Sequence, residues 1–369
     1  MLWLACFYTS TWISQSIGVP PTLRSAEDLA TIARITSERA IPRYFAAMVE
    51  IQVCVAKYTV LISESSENHV ASSLERAFKY ELDLTKDRFA ACWDTDIECV
   101  FLTAKLHLTA TLAVSQSKQL DAAGEGSIDT IQGSSLRVNL SEGLSSATRL
   151  IQLMCLGREQ SSAPPETSSS GRYAMPVDDL YMQGLPKLYF RALVFATFYL
   201  LRYHVSGTLG AAVDADLARS HVGIACSYLR KHSTEPSDEP GRSAAAIETL
   251  NRYSASRGLS RSMRISDRLG ASIVYDALTM ASELRTRPVR LMSEQDEPQQ
   301  ALGGAASRKA NSSKSGEGTP QGANEEDEQR RAEMAPSMEF LDDVMFSSDW
   351  MGDFEELSRD LFSEAALFG

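Results

Sequence analysis

No pair of cysteines in this sequence has the spacing of a metal site. The six cysteines, Cys6, Cys54, Cys92, Cys99, Cys155 and Cys226, are scattered through apolar stretches, and none forms a CxxC. Small zinc modules need ligands clustered at short spacing, so no such module is written into these residues. Scattered thiols of this kind read as small buried hydrophobes in a reducing compartment. No segment carries the basic excess of a nucleic-acid-binding surface. The uncharged run in the most uniformly apolar stretch, between Arg191 and Arg202, is ten residues long, about half of what a bilayer span needs. A nucleophile elbow, a Walker loop, a Rossmann glycine set and HExxH are all missing, so no enzyme is expected. Asp178 and Asp179 are adjacent and would diverge on a helix, which does not make an acid/base pair. Alternating strands and internal repeats are also lacking.

What is present is a long helical pattern. Residues 188–203 are apolar on every side, including Leu188, Tyr189, Phe190, Leu193, Val194, Phe195, Phe198, Tyr199, Leu200 and Leu201. A helix apolar all round must be enclosed by protein or lipid, and this one is expected to be the centre of a helical core. A second helix follows, with Asp214 as N-cap and Leu217, His221, Ile224 and Tyr228 on one face. His204 and His221 sit in or beside core faces and read as packed histidines.

Upstream, 24–62 reads as two helices. Ser25 and Asp28 form a capping box ahead of Leu29, Ile32 and Ile35, and Pro42 opens the next helix. Residues 70–93 form an amphipathic helix with Leu74, Phe78, Leu82 and Phe89 inward and Glu75, Arg76, Lys79, Glu81, Lys86 and Asp87 wet. A long apolar helix is expected over 96–114, a Ser/Gly/Asp-rich loop over 115–135, a helix over 136–156 and a polar loop over 157–172. Residues 242–253 and 267–285 read as the last helices, the second with Leu269, Ile273, Ala277, Met280 and Leu284 inward. The apolar start MLWLACFYTSTWI lacks the basic residues of a secretory leader and reads as a core helix cut by the chain start.

The segment YFRALVFATFYLLRYH, then DADLARSHVGIACSYLRKHS, then GRSAAAIETLNRYS, resembles the regulatory region of fungal zinc binuclear cluster (Zn2Cys6) transcription factors. Among these it looks most like the leucine-pathway and weak-acid-response regulators, over roughly residues 25 to 290. The resemblance implies an all-α regulatory domain, a nuclear location, room for a small-molecule effector in the helical core, and room for a dimer. It also implies a DNA-binding zinc cluster, which is absent here. Zinc as a cofactor would belong only to such a cluster encoded upstream, and DNA would be contacted only indirectly or through that module. A natural short form and a truncated gene model both fit that departure.

From 293 the helical pattern vanishes. Residues 291–336 have hardly any large apolar side chain and are expected to be a disordered linker, because they cannot offset an ordering cost of about 1–2 kcal/mol per residue. The net charge of −12 is concentrated beyond it, with fourteen Asp/Glu against three Arg over 325–369. In 337–369, bulky apolar residues stand among these carboxylates. Trp350, Phe354, Leu357 and Leu361, with Phe362 beside them, make one helical stripe; Phe340, Leu341, Val344, Met345 and Phe346 make a second cluster. This is the composition of an acidic activation segment that folds onto a coactivator or mediator-type partner. The alternative is a C-terminal helix docked on the core.

Arg257, Arg261, Arg264 and Arg268 fall at i, i+4, i+7 and i+11. Three readings stand for them: a solvated face or a non-helical loop, a DNA contact, or a clamp that holds the acidic tail in an off state. The expected architecture is therefore an all-α domain over 1–290, a linker over 291–336 and an amphipathic segment over 337–369. The expected function is transcription regulation, and the rival is a helical interaction scaffold with no transcriptional role.

Overall fold

The computed structural model describes residues 1–38, 40–65, 68–123, 130–155, 187–205, 212–257 and 263–286. The fold is all-α: ten α-helices and no strand among the described residues. They are α1 (Leu2–Ile17), α2 (Ala26–Thr36), α3 (Arg43–Glu64), α4 (Asn68–Arg88), α5 (Thr95–Ala123), α6 (Thr130–Cys155), α7 (Lys187–Leu200), α8 (Ala212–Lys231), α9 (Glu239–Arg257) and α10 (Ser272–Thr286). The linker and the acidic segment predicted over 291–369 lie outside the described residues, as do Asp178 and Asp179.

α7 occupies the centre, as its all-round apolar pattern requires. It touches α1, α5, α6, α8, α9 and α10. Every residue of α7 is buried except Lys187 and Phe190. It ends in one wide π-helical turn, Leu201–Val205, whose five residues are also buried. α5 shares the centre. It packs on α3, α4, α6, α7 and α10, and its segment Thr95–Gln116 is long and apolar enough to cross a membrane, yet 89% of that window is buried inside the protein.

α1 is a core helix. Leu4, Phe7 and Trp12 are almost wholly enclosed, and burying each stabilises the fold by about 2–3 kcal/mol. Trp12 meets Tyr8 and Tyr189 edge-on. The helix closes at Gly18, which adopts the left-handed conformation (φ 69°) while its N–H reaches Gln15 and that of Val19 reaches Ser14. A Cβ at Gly18 would also stand 2.0 Å from the Arg268 carbonyl oxygen, so glycine is required twice over. This contact presses the turn after α1 against the turn before α10.

Several helix ends follow the expected local chemistry. Ser25 Oγ accepts the Asp28 N–H, which is the N-cap half of the predicted capping box, and its O–H donates to the Asp28 carboxylate. Pro42 stands immediately before α3. Asp94 accepts the Ile97 N–H at the start of α5. The acidic turn before α9 is organised by Asp238, which accepts from the N–H groups of Thr234, Glu235 and Gly241.

Four expectations need correction. The loop over 115–135 is largely helical: α5 continues to Ala123 and α6 starts at Thr130, with 124–129 outside the described residues. Asp214 is not an N-cap but lies in the first turn of α8. The buried stripe of α8 is Ala218, His221, Val222, Ala225 and Leu229, whereas Leu217 is 43% exposed. The true face of α8 runs through small residues that let neighbours approach closely. In α10 the expected side holds: Ile273 is buried and Ala277, Met280 and Leu284 pack half-buried against the core, with Val274, Tyr275, Leu278 and Ala281 buried beside them. Glu75, expected in water, is buried; Lys79 donates to its carboxylate at 2.6 Å and Asn139 lies within 3.5 Å.

Candidate functional site in the helical core

Among the polar side chains buried in this bundle, three groups border α7. The first surrounds His107 on α5. Its ring stacks flat on Phe195 of α7, with centroids 3.8 Å apart and an interplanar angle of 2°. Burial alone drives its pKa down to about 3, so the imidazole is neutral at physiological pH. His107 forms a shared wall of two small clefts. One, of about 250 Å³ including its mouth, is lined by Gln15, Val19, Pro21, Val55, Thr59, Thr111, Leu269 and Gly270. The other, of about 310 Å³, is lined by Trp12, Ser16, Arg191, Ala192, Val194, Phe195 and Val274. The free room inside each is about that of one water molecule. An effector of drug size would therefore have to part the helices to enter.

The second group lies at the π turn. Arg202 Nη1 stands 3.3 Å from Asp276 Oδ2 of α10, and both side chains are under a tenth exposed. The other oxygen of Asp276 accepts the backbone N–H of Arg264 at 2.9 Å. One carboxylate thus ties the end of the central helix to α10 and to the segment leading into it. Tyr199 and Tyr203 face each other nearby, 5.1 Å between centroids, and His204 lies 6.0 Å from Tyr199. Burial lowers the pKa of His204 and raises those of both tyrosines, so all three are uncharged. A π turn within an α-helix is enriched at functional positions, because the added residue redirects side chains. The third group is Arg191 with Glu239 of α9, 3.7 Å apart. Burial raises the Glu239 pKa, against the pull of Arg191, Lys187 and Arg242.

The sequence-predicted site residues fare differently. Phe340, Leu341, Val344, Met345, Phe346, Trp350, Phe354, Leu357, Leu361 and Phe362 lie outside the described residues, as does Arg261. Arg257 closes α9. Arg264 and Arg268 belong to a non-helical segment before α10, so the four arginines form no helical stripe. Arg264 pairs with Glu283, and the Arg268 guanidinium lies 5.4 Å from the centre of the Tyr275 ring. Their regular spacing is a coincidence of sequence. His221 is packed as expected, between Gln152 and the Leu217 carbonyl.

Sequence reading passed over His107, Gln15 and the Arg202–Asp276 pair. A usable signal existed for the last. Arginines at both ends of a helix enclosed on all sides must find carboxylates within the fold. Cys54, Cys99 and Cys155 match the buried-hydrophobe reading, whereas Cys6, Cys92 and Cys226 are only half-buried. All six are free thiols, and burial pushes Cys54 up to about 12 and Cys226 up to about 11, with Glu248 adding to the second. Among the described residues no group of three or more His, Cys, Asp or Glu is placed to hold a metal ion.

The fold and these interior groups define a helical-bundle domain with a polar seam along its central helix. Comparison with protein-family models, with curated proteins and with solved structures returns no match to the chain.

Proposed function

We propose that this chain is the regulatory and activation part of a nuclear transcription regulator of the fungal zinc binuclear cluster type. In this reading the helical domain is the regulatory region and the acidic tail recruits coactivator or mediator-type proteins. The chain holds no zinc cluster of its own, so promoter contact comes through a partner or a separate module. The observation that carries the reading is the composition of 337–369, where Trp350, Phe354, Leu357 and Leu361 are spaced on one helical stripe among carboxylates. Repulsion among the acids keeps such a segment extended and its aromatic residues available to an apolar groove with a basic rim. An all-α core agrees with the regulatory region that the resemblance implies.

The test is a reporter assay with residues 337–369 fused to a heterologous DNA-binding domain. Transcription should rise, and changing Trp350, Phe354 and Leu357 together to Ala should remove most of the increase. A silent fusion would leave the helical interaction scaffold as the better description.

A further inference from the structure

A polar side chain sealed into a helical core needs a partner, and Gln15 of α1 has none. It is 6% exposed, and neither its Oε1 nor its Nε2 has a hydrogen-bond partner. Such orphaned groups are rare in folded proteins and call for an explanation. Gln15 lines the first of the two His107 clefts, with Thr59, Thr111 and Gly270 around it. Its primary amide offers one donor and one acceptor side by side. The lining contains no charged side chain, and His107 there is neutral. A net charge would be strongly disfavoured in that setting.

We infer that this cleft binds a small uncharged amide whose N–H and C=O lie on one edge, a lactam being the type, through paired hydrogen bonds to Gln15. The Gln15 carbonyl accepts the lactam N–H and its amide N–H donates to the lactam oxygen. Because the room at rest is that of about one water, entry requires the two wall turns to part. These are the turn after α1, built on Gly18, and the turn before α10, where Leu269 holds a φ of 46°. The first meets the second where Gly18 approaches Arg268, and the second carries the short 3-10 helix Leu269–Ala271. This inference goes beyond the transcriptional reading and does not depend on it.

The test uses the full chain and 2-pyrrolidone, with N-methyl-2-pyrrolidone and butyrate as comparators. 2-Pyrrolidone should raise the melting temperature in a saturable way. N-methyl-2-pyrrolidone, which lacks the donor, and butyrate, which is charged, should not. Gln15→Met keeps an unbranched side chain of similar length and should weaken 2-pyrrolidone binding about tenfold or more, the worth of two net hydrogen bonds. Equal stabilisation by the N-methyl compound, undiminished binding to Gln15→Met, or no saturable effect of 2-pyrrolidone would each overturn the inference. Should Gln15→Met fail to fold, nitrogen-15 spectra of the wild-type side-chain amides decide. 2-Pyrrolidone must then shift one glutamine NH₂ pair that N-methyl-2-pyrrolidone leaves in place, and spectra without such a shift refute the site.

Discussion

Replacing Asp276 by Ala should be among the most damaging single changes in this chain. The carboxylate has two duties, at 3.3 Å from Arg202 Nη1 and at 2.9 Å from the Arg264 backbone N–H. Removing it leaves the Arg202 guanidinium buried without its carboxylate, which costs about 3–5 kcal/mol. The abandoned Arg264 N–H adds about 1 kcal/mol. A total near 4–6 kcal/mol is a large share of the 5–15 kcal/mol typical of a folded domain. Urea unfolding followed by far-ultraviolet circular dichroism measures it. Asp276→Asn keeps an oxygen for Arg264 and loses the charge, so it should fall between Ala and wild type. The double variant Arg202→Met with Asp276→Leu replaces the ion pair by apolar contact and should lie within about 1 kcal/mol of wild type. A loss below about 1 kcal/mol for Asp276→Ala would show that the pair is not enclosed as described, and the reasoning would fail with it.

Two further outcomes are expected. Burial holds the His107 imidazole at about 3 instead of 6.5, so its stabilising contribution is intact above pH 6.5 and drains away as pH falls toward 3. Between pH 7 and pH 5 the wild type should therefore lose about 2 kcal/mol more than His107→Leu, measured by urea unfolding at each pH. Gly143→Ala within α6 would ordinarily gain about 0.5–1 kcal/mol as a helix substitution. Here the new Cβ would stand 2.0 Å from the Tyr199 hydroxyl, so the sign should reverse to a loss of about 1–3 kcal/mol in thermal unfolding.

Much of the helical domain was legible because its signals are local. The N-cap at Ser25 depends on residues three apart, and the enclosed character of α7 depends on its own composition. The interior face of α8 was misplaced at Leu217 for a physical reason. Apolar periodicity weights large side chains such as Leu217, whereas close helix packing selects Ala218 and Ala225. The polar seam was hidden because its members are far apart in sequence. Arg202 and Asp276 are joined only by folding, and so are Gln15, Thr59 and His107. The arginine spacing left three readings open, and for Arg264 and Arg268 the non-helical one holds, since period alone does not make a helix.

Because a single carboxylate anchors both the last turn of the central helix and the approach to α10, α10 is latched rather than merely laid against the bundle. Peeling it away must strip two opposite charges of each other in the same event. Intermediate degrees of fraying at its N-terminal end are thereby penalised, and α10 should release as a unit or not at all.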